Sequence, residues 1–187
     1  MRRLGMVVGA LALTGATLVG TAGAAHAVPG RAAATVCSTP WGSGTTSSAA
    51  SVVEPLQNIR TGQHACYDRM VFDITGTSGT VGYHVGYVDA FHQDGTGTQI
   101  PVQGGAILQV YVNAPAYDPA TGTVVYPGRA GRSLPGVDVT GYRTFKDTKF
   151  GASFEGRTQV GVGVRARLPF RVLQSGDRLI VDVAHTW

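Results

Sequence analysis

Apolar side chains recur at every second position through most of the chain, which is the period of a β-strand. In the segment that begins at Tyr67, Met70 and Phe72 share one face, and Arg69 and Asp73 lie on the other. The other predicted strands are Gly82–Val88, Gln99–Gln103, Ala106–Val112, Gly141–Phe145, Phe150–Phe154, Thr158–Leu168, Phe170–Leu173 and Arg178–Ala184. Because no window of a dozen residues has helical spacing, the pattern predicts an all-β fold, a single β-sandwich.

Turn residues and composition divide the chain into three parts. Asp94-Gly95 is a hairpin signal within the strand-rich part. Residues 28–52 are rich in Ala, Ser, Thr and Gly, which predicts a flexible lead-in. The β-sandwich domain is therefore expected to occupy residues 53–187.

The first 27 residues have the pattern of a secretory signal peptide. Two arginines are followed by an apolar, small-residue stretch, and Ala25-His26-Ala27 fits a cleavage site after Ala27. No later apolar run approaches the roughly 20 residues of a membrane span. The mature protein is expected to be secreted, without a transmembrane segment.

Charge carries little information once this segment is set aside. From Val28 onward, 13 basic and 11 acidic residues leave +2, since two of the 15 basic residues precede it. Residues 28–128 carry −3 and residues 129–187 carry +5. The 43% apolar content excludes a disordered polyelectrolyte. A nucleic-acid partner would require a stronger basic excess, so none is expected.

The two cysteines, Cys37 and Cys66, are the only ones in the chain. Zinc would require four well-spaced ligands, and a redox pair would have the Cys-x-x-Cys spacing, neither of which is present. In an exported protein the pair is therefore expected to form a structural disulfide.

No motif for catalysis stands out. The chain lacks the Gly-x-Ser-x-Gly of serine hydrolases and a dinucleotide-binding Gly-x-Gly-x-x-Gly, and no metal or other cofactor is expected. His64, His84, His92 and His185 are isolated in sequence. The chain is expected not to be an enzyme, although a hydrolase whose His, Asp and Ser meet only in the fold remains an alternative.

One predicted strand suggests a binding surface. Its apolar face alternates with a face that carries Arg157, Gly161, Gly163, Arg165 and Arg167. Two glycines leave a shallow strip, and arginine forks at both ends suit carboxylates or phosphates. The alternative explanation is that the glycines allow close packing of a neighbouring segment.

Several segments together resemble the AMIN-like domains of secreted actinobacterial proteins, which are related to the non-catalytic AMIN modules of N-acetylmuramoyl-L-alanine amidases. The segments are Cys66–Asp73, Gly104–Val110, Ala114–Asp118, Phe154–Thr158, Gly161–Arg167, Pro169–Val172 and Arg178–His185. The middle of the chain, residues 89–149, is longer than in a minimal AMIN module. The resemblance implies a β-sandwich that binds peptidoglycan or places proteins at the cell envelope.

The resulting hypothesis is a secreted, non-catalytic module that contacts peptidoglycan, another envelope polymer or a wall-associated protein. Arg157, Arg165 and Arg167 would pair with carboxylates, and Tyr87 or Tyr142 would stack on sugar rings. The remaining alternative is a protein-interaction module that pairs through an exposed strand edge.

Overall fold

A computed structural model describes residues 37–50, 54–74, 76–77 and 79–187. The predicted signal peptide and its cleavage site lie outside these residues. The described residues form nine strands and no helix: β1 Thr46–Ser48, β2 Asn58–Gln63, β3 Tyr67–Asp73, β4 Tyr83–Val88, β5 Ala106–Val112, β6 Phe145–Phe154, β7 Arg157–Val164, β8 Phe170–Ser175 and β9 Arg178–Ala184. The described part contains no helix with the length and hydrophobicity to cross a membrane.

The strands form two antiparallel sheets, and the predicted β-sandwich is confirmed. Sheet A has the order β1-β4-β5-β7-β6, and sheet B has the order β2-β3-β9-β8. Alternate side chains of both sheets meet in one core, because each strand has one apolar face. Met70 and Phe72 of β3 and Val160 and Val162 of β7 are buried there.

Two predicted strands are almost absent from the structure, and the predicted strand Thr158–Leu168 ends at Val164 in β7. Only Phe145 of the predicted strand Gly141–Phe145 is extended, since the preceding residues turn and the N–H of Thr144 binds a buried carboxylate. The predicted strand Gln99–Gln103 contributes one isolated bridge between Gln99 and His92, although the hairpin turn at Asp94 is present.

The described part of the predicted lead-in, residues 37–50, packs along the sandwich and is named the strap. Its strand β1 pairs with the edge of β4, and the carbonyl of Gly42 accepts a hydrogen bond from the N–H of Phe170 in β8. Thr45 packs over Gly86. A Cβ added to Gly86 would lie 2.6 Å from the hydroxyl oxygen of Thr45. The strap is therefore part of sheet A through β1, because its small polar residues fit against the edge of β4.

The predicted disulfide between Cys37 and Cys66 is confirmed. Cys66 lies directly before β3, and its carbonyl accepts a hydrogen bond from the N–H of His185 just after β9. The bond therefore attaches the start of the strap to the two central strands of sheet B.

Candidate functional site

The glycine strip of β7 is not open to solvent. Between β4 and β5, residues 89–105 fold back over the outer face of sheet A. A Cβ on Gly161 would lie 2.9 Å from the ring of Phe91, and one on Gly163 would overlap the carbonyl oxygen of Gln103. The expectation of an exposed strip is wrong, and the alternative that the glycines allow close packing is confirmed.

The three arginines assigned to this strip bind separate parts of the molecule. Arg157 lies 3.4 Å from Asp94, and the Arg167 guanidinium binds Asp89 at 2.6 Å. Arg165 donates to the carbonyl of His185. The structure therefore does not gather them around a common ligand.

The two tyrosines expected to stack on sugars also have partners within the protein. Tyr87 donates a hydrogen bond to the carbonyl of Leu168 at 2.7 Å, and its burial raises its pKa to about 12. The Tyr142 hydroxyl lies 3.1 Å from that of Thr61, and its ring stacks on Phe145 with 6.0 Å between centroids. Both rings are partly buried against the core.

Replacing Gly163 with alanine tests whether residues 89–105 cover β7. The added methyl group overlaps main-chain atoms of Gln103, so the covering segment must move. We expect a loss of about 1–3 kcal/mol in the free energy of unfolding, measured by urea denaturation. An alanine at Gly44, where a Cβ meets nothing within 4 Å, is the matched control. Equal stability of both variants would mean that the strip is open.

The outer face of sheet B, by contrast, carries three rows of outward side chains that run across the strands. The first row contains Arg69, Asp182 and Arg171. The middle row contains Arg60, Val71, Ile180 and Leu173. The third row contains Asp73, Arg178 and Ser175. Because alternate residues lie two positions apart, neighbouring rows are separated by about 7 Å. We call this surface the arginine face.

Each aspartate on the arginine face holds two arginines. Asp182 is fully buried and binds Arg69 at 2.6 Å and Arg171 at 2.8 Å. Asp73 binds Arg60 at 2.9 Å and Arg178 at 3.3 Å. Arg178 also lies 3.8 Å from Asp177 in the turn before β9, so four positive and three negative charges leave +1 on this surface.

These ion pairs fix the arginines in place without removing them from solvent. Arg60 and Arg178 are about half exposed, at 48% and 51% of their side-chain area. Hydrogen bonds from Arg60 to Asp73 and from Arg69 to Asp182 raise the pKa of each guanidinium further. The face therefore presents permanently charged donors whose orientation is set before any ligand arrives.

Aromatic rings border the first row. The Arg171 guanidinium lies 4.3 Å from the ring centroid of Trp41, and Arg69 lies 5.2 Å from that of Tyr67. His64 stacks on Tyr67 with 4.5 Å between centroids. Since Trp41 belongs to the strap, the disulfide at Cys37 helps to hold this cluster together.

A groove of about 380 Å³ crosses the arginine face diagonally. Its floor is Val71 and Ile180, and Arg60, Arg69 and Arg178 line it. A second groove, of about 480 Å³, lies beside residues 89–105, but its one arginine, Arg167, is paired with Asp89. We therefore place the candidate site on sheet B, where the positive charge exceeds the negative.

The chain also brings together a histidine, a hydroxyl and an acid. His185 Nδ1 lies 3.0 Å from Thr144 Oγ1, and Nε2 lies 3.8 Å from Asp68 Oδ1. All three residues are buried, and Nε2 donates to the carbonyl of His64. Because the hydroxyl lies inside the packed interior, this cluster supports the fold and offers no access for a substrate. Among the described residues, no three His, Cys, Asp or Glu side chains are grouped to hold a metal.

Comparison with protein-family models identifies the family. The family model described as the AMIN-like domain matches residues 54–185, which is more than two thirds of the chain. The chain belongs to the AMIN-like domain family. Neither the curated proteins nor the solved structures include a significant match.

In this AMIN-like domain the arginine face is a feature that the sequence analysis missed. Its four arginines come from four different strands, so no single segment shows the cluster. A signal was nevertheless present: Arg69 and Asp73 alternate with the apolar side chains of β3, and Arg178 and Asp182 do so in β9. Charged outward faces on adjacent strands indicate a charged sheet surface.

Proposed function

We propose that this AMIN-like protein is an exported, non-catalytic module that attaches to the cell envelope by binding peptidoglycan or a wall-associated protein. The observation that carries the proposal is the arginine face, a solvent-facing surface with a net charge of +1 and oriented guanidinium groups. Peptidoglycan carries free carboxylates on its peptides, which are suitable partners for such donors. The family and the disulfide support an extracellular location.

A sedimentation experiment with purified peptidoglycan tests this proposal. We expect the wild-type protein to pellet, and Arg60→Gln/Arg178→Gln to bind on the order of ten-fold more weakly, because two charge-assisted hydrogen-bonding groups are lost. Glutamine retains a hydrogen-bonding side chain beside Asp73, and circular dichroism verifies the fold of the variant.

The matched control is Arg129→Gln/Arg132→Gln, which removes the same charge from an exposed loop beside β6. This variant is expected to pellet like the wild type. Equal loss in both variants would indicate nonspecific attraction by net charge, and failure of the wild-type protein to pellet would contradict the binding of peptidoglycan itself.

The edge of β8 provides a second candidate, an interaction module that pairs with a partner strand. Leu173 and Gln174 are exposed there. However, the Gln174 side chain accepts from the N–H of Val81 and donates to its carbonyl, and Phe170 already binds Gly42. Because these contacts occupy part of the edge, the arginine face is favoured. A pull-down from secreted proteins that returns one stoichiometric partner would reverse this order.

A further inference from the structure

The groove on the arginine face has the chemistry of a peptide site, and its glycan affinity should be low. Val71 and Ile180 lie beneath the groove with only 4% and 9% of their area exposed, so a ligand meets mainly the arginine side chains around them. Such a surface suits the carboxylates of an acidic peptide. Sugar rings, by comparison, stack on aromatic faces.

The aromatic rings nearest to the groove do not offer that alternative. Tyr67 is covered by Arg69 at 5.2 Å and stacks on His64, and Arg171 lies over Trp41 at 4.3 Å. A sugar ring would have to displace these side chains. The rings therefore pack against the arginines. Because these side chains cover them, the rings offer a glycan little surface for stacking.

The position of the charges matches a short acidic peptide. Arg69 binds Asp182 in the first row and lies toward one end of the groove. Arg60 and Arg178 share Asp73 in the third row and lie toward the other end. These rows are about 14 Å apart, and two carboxylates separated by three or four residues of an extended chain reach about 10–14 Å. That spacing allows each carboxylate to reach an arginine while the intervening residues lie along the groove.

Gly62 keeps the groove open at the first of these ends. It is opposite Arg69 in the strand register, so a side chain at this position would point outward into the groove. A Cβ here would meet nothing within 4 Å, and the backbone does not require glycine. A large side chain at this position would therefore block the groove and leave every arginine in place.

We infer that this groove binds the peptide part of the wall polymer: an extended segment with at least two free carboxylates. This inference rests on the proposed function and assigns the ligand chemistry of the same site. The glycan strand contributes little to the affinity.

Calorimetric titration of the mature chain with synthetic probes tests the inference. The probes are the pentapeptide Ala-Glu-Ala-Ala-Ala with free carboxylates, the same peptide with both carboxylates amidated, and a neutral tetramer of N-acetylglucosamine. We expect the acidic peptide to bind at least ten-fold more tightly than either of the other probes. Equal affinity for the amidated peptide, or preference for the sugar, would overturn the inference.

A variant that fills the groove without removing an arginine tests the shape of the groove separately from its charge. Gly62→Trp is expected to weaken binding of the acidic peptide at least ten-fold, whereas Gly44→Trp, at an equally open glycine in the strap, should bind like the wild type. Thermal unfolding of both variants verifies the fold. If Gly62→Trp is folded and binds normally, the ligand lies elsewhere and the inference fails.

Sedimentation with two wall preparations distinguishes this inference from the proposed function. Intact peptidoglycan and peptidoglycan whose peptide carboxylates have been amidated are compared. Pelleting with the intact wall alone supports both. Equal pelleting with the amidated wall contradicts the carboxylate-binding peptide site and leaves wall binding standing, and pelleting with neither contradicts both.

Discussion

Replacing Asp68 with alanine is expected to lower the free energy of unfolding by about 3–5 kcal/mol. The side chain is fully buried, and Oδ2 accepts hydrogen bonds from the N–H groups of Thr144 at 2.6 Å and Phe145 at 3.0 Å. Alanine would leave both donors buried without a partner, and each costs about 1–3 kcal/mol. Urea denaturation measures the change.

Asp68→Asn is the matched control for this prediction. Its amide oxygen can still accept from Thr144 and Phe145, so we expect a clearly smaller loss than for alanine. If the alanine variant lost less than about 1 kcal/mol, the two backbone groups would have found other partners. The carboxylate would then not be what starts β6 at Phe145.

Removing the disulfide is expected to cost about 3–4 kcal/mol of stability. Cys37 and Cys66 are separated by 29 positions, and closing a loop of this length restricts the unfolded chain by about that amount on the chain-entropy model. Cys37→Ser/Cys66→Ser should therefore unfold at a markedly lower temperature than the wild-type protein.

A reductant provides the control for the disulfide. It should lower the melting temperature of the wild-type protein toward that of the double variant and leave the variant unchanged. Hydrogen exchange should also accelerate in β1, because the strap would lose its covalent attachment and keep only its non-covalent contacts, such as the short pairing with β4. A double variant as stable as the wild type would show that the bond contributes nothing to the fold.

The sandwich could be predicted because each strand carries its own pattern. The alternation around Met70 and Phe72 is a local property of the chain, and the structure places both in the core. The start of β6 was not predictable in this way. It depends on Asp68, a residue 76 positions from Thr144, whose carboxylate binds the turn that precedes the strand.

The candidate site was not predictable from a single strand for a related reason. The pattern of β7 is the same whether its glycine face is open or covered, and Phe91, which covers it, lies 70 residues before Gly161. On sheet B, the arginines become neighbours only through the pairing of β3 with β2 and β9 and of β9 with β8. Sequence alternation indicates the charged faces, but strand order decides which charges meet.

The measurement that tests the wall-binding surface most directly is a side-by-side sedimentation of two double variants with intact peptidoglycan. The first, Arg60→Gln/Arg178→Gln, removes two arginines from the arginine face. The second, Arg165→Ala/Arg167→Ala, removes two arginines near the covered strip. We expect the first to lose on the order of ten-fold in affinity and the second to pellet like the wild-type protein. The reverse result would contradict the assignment of binding to sheet B.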